Sequence, residues 1–238
     1  MFRIVFLLAI FRLVAVIAAP ASAAQSELTA KEREQGWILL FDGKTTQGWM
    51  TPKKKPLPRS HVQDGSLNPH PCDYMLVHEK EWSDFVLSLE VKISPGCNSG
   101  VFFRTSPLTA SPGKDVGFNG IELAIDDTET AGFHDAGAIY DLVKPKKNAM
   151  KPAGQWNRLV MSCVDNMISI TLNDELVTEM NLDEWTEPGK RPDGSTHKFS
   201  DTAYKNHPRS GYIGLQDHGK DCWYRNIKLL PVKKDKNK

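Results

Sequence analysis

Residues 85–93, Phe-Val-Leu-Ser-Leu-Glu-Val-Lys-Ile, alternate one set of large apolar side chains with a second set that includes Ser, Glu and Lys. A period of two is typical of a β-strand with one face in the core, whereas an amphipathic helix repeats every 3.6 residues. Similar alternation recurs in seven further segments, at residues 100–105, 120–126, 157–163, 167–172, 175–180, 211–218 and 223–230. The chain is therefore predicted to be mostly β.

Turn residues separate some of these predicted strands. Asp165-Asn166 and Asn173-Asp174 lie between successive strands, where such pairs favour hairpin connections. Only a short polar segment at 28–35 is compatible with a turn or two of helix, and no internal repeat is present. Many strands with short turns predict an all-β fold of two antiparallel sheets packed as a jelly-roll sandwich.

The first residues differ from the rest of the chain. An apolar stretch at 4–19 follows Arg3 and leads into Pro-Ala-Ser-Ala at 20–23, the pattern of a secretory signal cleaved after Ala23. Arg12 divides the stretch, so neither half approaches the ~18 apolar residues of a spanning helix. We expect residues 1–23 to be removed and the mature protein to be periplasmic or secreted, without membrane association. An uncleaved signal anchor is the alternative.

Composition narrows the possible partners. The 238 residues include 30 Lys and Arg against 29 Asp and Glu, so the chain lacks the basic excess that binds a phosphate backbone, and no nucleic acid partner is expected. Hydrophobic residues make up 40% of the chain, which is enough for an ordinary globular core. Residues 36–232 are expected to form one domain.

Four cysteines follow the predicted cleavage site, at positions 72, 97, 163 and 222. An exported protein reaches an oxidising compartment, where three full disulfide pairings are possible. Buried free thiols are the alternative, and Cys163 suits that role because it ends an apolar alternation. The spacing contains no C-x-x-C pair, so a zinc site is not expected.

Three predicted strands, 100–105, 120–126 and 211–218, carry unusual groups on the face opposite their apolar set. That face holds Phe102, Arg104, Glu122, Asp126, Tyr212, Gln216 and His218. The same face carries the small residues Gly100, Gly120, Ala124 and Gly214, which leave a trough. Sugar sites combine aromatic rings with such hydrogen-bonding groups. An ordinary solvated sheet face is the alternative interpretation.

Several motifs occur in a distinctive order. They are Leu-Phe-Asp-Gly-Lys at 40–44, Gly-Trp at 48–49, Trp-Ser-Asp-Phe at 82–85, Asn-Ser-Gly-Val-Phe-Phe-Arg at 98–104, Gly-Gln-Trp-Asn at 154–157, Gly-Tyr-Ile-Gly-Leu-Gln-Asp-His-Gly at 211–219 and Arg-Asn-Ile at 225–227. With these motifs, residues 36–232 resemble the 3-keto-disaccharide hydrolase family. Ile121 and His61 depart from the pattern, since Tyr and Trp are common there.

The resemblance implies a concanavalin A-like jelly roll that cleaves glycosides oxidised at C3 of the sugar. A ketone at C3 acidifies the C2 proton, so elimination at C1 followed by hydration needs a base, an oxyanion partner and a proton donor. We hypothesise that Glu122 and His218 are base and acid in one order or the other, with Arg104 beside the oxyanion. The residues expected to bind the sugar are Asn98, Ser99, Asp126, Tyr140, Gln216, Asp217 and Trp223.

The same resemblance implies an oligosaccharide or glycoside as partner and functional coupling to a separate sugar 3-dehydrogenase. No cofactor is expected. Asp126, Asp127, Glu129 and Asp135 form an acidic group compatible with Ca²⁺, although their spacing matches no EF-hand loop.

Three other interpretations remain open at this point. A conventional glycosidase needs two carboxyl groups, ~5 to 5.5 Å apart in retaining enzymes, but Glu122 and Asp126 on one strand have Cα atoms about 13 Å apart. Asp217 is another possible partner for Glu122. A non-catalytic, lectin-like binding module is the second alternative, because a sandwich fold alone does not establish catalysis. A purely structural sandwich would have no pocket at Glu122 and His218.

Overall fold

A computed structural model of the chain describes residues 26–201 and 203–233. The predicted signal at 1–23 lies outside these residues. The elements are α1 (Ala30–Gln35), β1 (Ile38–Leu39), β2 (Trp49–Met50), β3 (Val62–Gln63), β4 (Ser66–Leu67), β5 (Met75–Trp82), β6 (Phe85–Ile93), β7 (Asn98–Thr105), β8 (Ile121–Asp126), β9 (Asn157–Val164), β10 (Met167–Leu172), β11 (Glu175–Asn181), β12 (Gly211–Gln216) and β13 (Cys222–Pro231).

The strands form two antiparallel sheets. One sheet has the order β11-β10-β9-β6-β13-β4-β3, with β1 also paired to β13, and the other has the order β2-β5-β12-β7-β8. The inner faces pack on one another through buried apolar residues from both sheets. This architecture confirms the predicted all-β, two-sheet antiparallel jelly-roll sandwich.

β6 shows why the alternation decides the fold. Its five apolar residues at odd positions from Phe85 to Ile93 are buried, whereas the four residues between them are half-buried. β6 lies between β9 and β13, so its apolar row packs in the middle of the larger sheet. Burying one such aliphatic or aromatic side chain stabilises the fold by about 1.5–3 kcal/mol. Several such strands supply most of the driving force for folding.

Several predicted strand limits shift by one or two residues. β8 begins at Ile121, β12 ends at Gln216 and β13 begins at Cys222, so His218 follows a strand rather than lying on it. β5 was not predicted, because Met75 to His78 are all buried and therefore show no alternation. β5 pairs with β12 in the middle of the smaller sheet.

The segment before the sandwich forms one short helix, α1. Thr29 caps its N-terminus and exchanges hydrogen bonds with Glu32, and Gly36 ends it in the left-handed conformation with φ 87°. Within 26–201 and 203–233, no helix is long and apolar enough to cross a membrane.

All four cysteines lie in the described part of the chain and are free thiols there. Cys163 is buried in the main core, as the thiol alternative predicted. Burial raises the pKa of its thiol to about 12, which makes it a poor nucleophile.

Candidate active site

A cavity of about 120 Å³ lies on the outer face of the smaller sheet. Its polar lining consists of Tyr74, Asn98, Asp115, Glu122, Tyr140, Lys198, Gln216 and His218. Aromatic rings complete the wall, among them Phe102, Phe118, Phe199 and Tyr204. This volume is similar to the ~150 Å³ of a cavity that holds one benzene ring. That size is comparable to one sugar ring with its hydroxyl groups.

Glu122 is the carboxylate on the floor of this cavity. It lies on β8 opposite Phe102 of β7, and Gly100 makes room for it, because a Cβ at Gly100 would lie 2.6 Å from Glu122 Oε1. Burial raises the pKa of Glu122 to about 7, and the positive charge of Lys198 partly offsets this effect. A carboxyl group with this pKa is divided between its two protonation states near neutral pH, which suits proton transfer.

Gln216 and Tyr74 form a hydrogen-bonded pair beside Glu122. Gln216 ends β12 with 5% exposure, and its side chain hydrogen-bonds the Tyr74 phenol. Burial, with the nearby negative charge of Glu122, raises the pKa of Tyr74 well above its usual range, so the phenol stays protonated. Gln216 Oε1 is buried and has no partner among the described residues.

Tyr140 lies next to Glu122 because its segment runs alongside β8. The Tyr140 N–H donates to the Glu122 carbonyl oxygen at 2.9 Å, and the Tyr140 ring contacts His134 at a centroid distance of 4.6 Å. Asn98, at the start of β7, and His218, just after β12, are exposed and lie on the lining of the cavity. The structure thus brings together five predicted site residues, namely Asn98, Glu122, Tyr140, Gln216 and His218.

Arg104 does not reach the cavity, which corrects the prediction that it faces the sugar. Phe103 and Arg104 together oppose the single residue Ile213 of β12, so β7 contains a β-bulge there, and Arg104 adopts φ 51°. The bulge reverses the alternation and turns Arg104 into the interior. Its side chain is fully buried and forms an ion pair with Asp84, with Nη2 at 3.4 Å from Oδ1.

Ser99 and Trp223 also lie away from the cavity, contrary to prediction. Ser99 is buried, donates to the Gln216 carbonyl oxygen at 2.7 Å and hydrogen-bonds the Tyr224 hydroxyl at 2.8 Å. Trp223 belongs to the larger sheet, where its indole donates to Gln63 Oε1 at 2.9 Å. Its ring lies beneath the Lys92 ammonium at 4.7 Å from the centroid. The alternation already places Ser99 on the core face with Val101 and Phe103, so its assignment to the sugar came from the resemblance alone. For Trp223, the alternation does not show which sheet the strand belongs to.

Asp126 and Asp217 hold loops rather than line the cavity, which corrects two further predictions. Asp126 Oδ1 accepts the Ala136 N–H at 2.8 Å, and Asp217 Oδ2 accepts the Cys72 N–H at 2.6 Å. Asp217 Oδ1 also lies 3.0 Å from His70 Nδ1. Neither carboxylate can therefore pair with Glu122 across a bound sugar in this arrangement.

Three of the four acidic residues considered for Ca²⁺ accept hydrogen bonds from the chain itself. Asp135 Oδ2 accepts the Thr130 hydroxyl at 2.6 Å, and Asp127 Oδ2 accepts the Gly96 N–H at 2.7 Å. Across 26–201 and 203–233, no three His, Cys, Asp or Glu residues are grouped so that they could hold a metal ion.

Sequence patterns missed six polar or aromatic members of the cavity: Tyr74, Asp115, Phe118, Lys198, Phe199 and Tyr204. All six lie in loops or in 3-10 turns, where strand periodicity says nothing about direction. Residues 187–209 form a long polar loop, and loops of that length are often functional lids. It contributes Lys198, Phe199 and Tyr204 to the cavity, so it does cover the site.

Comparison with known proteins identifies the family of this chain. Residues 36–230 match the 3-keto-α-glucoside-1,2-lyase-like domain, and the chain belongs to that family. A 3-keto-disaccharide hydrolase from Bacteroides thetaiotaomicron is 27% identical over 229 residues, covering 82% of this chain and 78% of the relative.

Two crystal structures from Parabacteroides distasonis, each presented as a candidate glycosyl hydrolase, have the same fold. One is 28% identical with a TM-score of 0.68, and the comparison covers 82% of this chain and 99% of the other. The second is 21% identical with a TM-score of 0.70, covering 87% and 99%.

Proposed function

We propose that this protein hydrolyses glycosides whose sugar is already oxidised to a ketone at C3. The observation that carries the proposal is Glu122, a carboxyl group with a pKa of about 7 at the floor of a cavity of sugar-ring size. The family match and the 27% identical 3-keto-disaccharide hydrolase support the substrate class. The hydrogen-bonding groups of Gln216, Tyr74 and Asn98 suit the hydroxyls of one sugar.

The proposed reaction begins with proton transfer from C2 to the Glu122 carboxylate. The electron pair of the C2–H bond moves between C2 and C3, and the negative charge develops on the C3 oxygen. When the C3 carbonyl reforms, a C1–C2 double bond forms, the C1–O bond breaks, and the leaving oxygen takes a proton from His218. Water then adds, with its hydroxyl at C1 and a proton returned to C2, so the net change is hydrolysis. No oxidant or cofactor is consumed.

The most direct test of the proposed function is a substrate panel. Matched disaccharides with and without a C3 ketone are incubated with the protein lacking residues 1–23, and the released sugars are quantified. We expect turnover of the 3-keto compounds alone, unchanged by EDTA. Equal cleavage of the unoxidised compounds would favour a conventional glycosidase, and binding without turnover would favour a lectin-like module.

One observation favours the conventional glycosidase as a second candidate. Asp115 lines the same cavity as Glu122, so two carboxyl groups do face the site, although they are not the pair expected from the sequence. Only the C3 ketone makes proton removal at C2 possible, so the substrate panel separates the two reactions.

The pH dependence of kcat/KM tests whether Glu122 takes part in proton transfer. The reaction needs one member of the Glu122 and His218 pair as base and the other as acid, so the rate should pass through a maximum, with one limb set by the Glu122 pKa of about 7. That limb should be absent in Glu122→Gln, and an unchanged profile in this variant would contradict the role of Glu122. The measurement is the initial rate at low substrate between pH 5 and 9, values chosen to be about two units either side of that pKa.

The predicted export and its metabolic setting belong to the same proposal. We propose that the mature protein acts in the periplasm or outside the cell, on oligosaccharides or glycosides, without nucleic acid or membrane partners. Since a C3 ketone must be introduced by oxidation of a sugar alcohol, a separate sugar 3-dehydrogenase would supply the substrate.

A further inference from the structure

Lys198 is the lysine that reaches the candidate active site from the long loop 187–209. Among the described residues, it is the sole Lys or Arg on the lining of the cavity. Its ammonium lies over the Tyr140 ring at 4.0 Å from the centroid and over Phe118 and Phe199 at 5.3 Å each. These rings hold the cation at the wall through cation–π contacts.

The ammonium of Lys198 has no ion-pair partner within the described ranges, in contrast to Lys190 of the same loop and to Lys114. Lys190 pairs with Glu187 at 2.6 Å, and Lys114 pairs with Asp201. A cation that is surrounded by rings rather than by a carboxylate keeps its charge available for an anion that appears in the cavity.

The position of Lys198 is fixed through its backbone. The Lys198 N–H donates to Asp141 Oδ2 at 2.7 Å, and Arg191 Nη2 donates to the Asp141 carbonyl oxygen at 2.6 Å. Arg191 Nε also donates to the Leu142 carbonyl oxygen at 3.1 Å. These bonds fasten the loop to the segment that carries Tyr140, so the Lys198 side chain begins from a fixed point beside the cavity.

We propose that Lys198 is a catalytic residue that stabilises the negative charge on the C3 oxygen during C2 deprotonation, and this inference rests on the proposed function. As the C2–H bond breaks, its electrons form the C2–C3 double bond and the charge moves to the former ketone oxygen. The ammonium compensates that charge until the carbonyl reforms and the C1–O bond breaks. Arg104 cannot take this role, because its side chain is buried and paired with Asp84.

Lysine-to-methionine substitution tests this role, because methionine keeps much of the stem and removes the charge. Loss of one oxyanion donor costs about 10²–10³-fold in kcat. We expect a loss of that order for Lys198→Met with little change in KM, partial recovery in Lys198→Arg, and wild-type rates for the matched control Lys190→Met. A rise in KM with kcat unchanged would overturn the inference, because it would mean that Lys198 only binds the substrate.

A second readout does not depend on turnover. The charged and titratable groups that line the cavity with Glu122 are Tyr74, Asp115, Tyr140, Lys198, Tyr204 and His218. Because Lys198 lowers the pKa of Glu122, Lys198→Met should raise the pKa of that carboxyl group, as measured by ¹³C NMR titration. An unchanged pKa would contradict the placement of Lys198. Inactivity of the wild type on 3-keto glycosides, with this shift present, would instead refute the proposed function.

Discussion

Replacing Glu122 by glutamine is expected to lower kcat on a 3-keto glycoside by about 10²–10⁴-fold, the contribution of one general acid or base. Glutamine has nearly the same shape as glutamate, so it still fits the space that Gly100 leaves. It cannot accept the C2 proton. The free energy of unfolding should not fall, because the substitution removes a carboxyl group that burial already disfavours in its ionised form.

The matched control is Glu129→Gln, which makes the same chemical change three residues after β8. Glu129 is exposed and does not line the cavity, so its substitution should leave kcat and KM unchanged. Full activity in Glu122→Gln would show that another group removes the proton and would end the assignment. Equal losses in both variants would point to a general effect on the fold instead.

Removing the carboxylate of Asp84 is expected to destabilise the protein by about 3–5 kcal/mol, because the charge of Arg104 would then be buried without compensation. Both side chains are almost completely buried, with 0% and 4% exposure. Asp84 Oδ1 also accepts the Asp165 N–H at 2.8 Å, so Asp84→Ala removes a second contact. Chemical denaturation at neutral pH measures the change.

Two further variants give this stability prediction its controls. Asp73→Ala breaks an ion pair with Lys53 at the exposed surface and should leave stability almost unchanged. In the double variant Arg104→Met with Asp84→Asn, no buried charge remains, so the loss should be smaller than in Asp84→Ala alone. An equal or greater loss in the double variant would contradict this account of the pair.

The single variant Arg104→Met separates a structural role of Arg104 from a catalytic one. Arg104→Met should keep near wild-type kcat per folded molecule, because its guanidinium does not line the cavity. A 10²-fold loss of kcat in properly folded Arg104→Met would restore the role first predicted for it.

The fold was predictable because strand periodicity is a local property. β6 and β9 alternate along their whole length, and the structure buries the expected residues in both. Side chains stop alternating between the two faces of a strand where the strand contains a bulge. Arg104 lies at such a bulge with a φ of 51°, so its side chain points to the face opposite to the one that the alternation predicts. A β-bulge of this kind depends on pairing with β12 and leaves no clear mark in the sequence of β7.

The cavity was predictable only in part, for a related reason. Glu122 and Gln216 lie on regular strands, so their face could be deduced. Tyr74 and Lys198 lie outside strands, and their positions depend on contacts distant in sequence, such as the bond from the Lys198 N–H to Asp141. Contacts of this kind arise from tertiary structure, and no local pattern encodes them.

The claim that Glu122 removes a proton from C2 is tested most directly by measuring whether the C2 hydrogen of the substrate is exchanged for deuterium during hydrolysis. A 3-keto disaccharide is hydrolysed in D₂O, and the released 3-keto sugar is analysed at once by NMR. The same product incubated with Glu122→Gln measures spontaneous exchange. The account predicts deuterium at C2 well above that background, and hydrogen fully retained at C2 would contradict it.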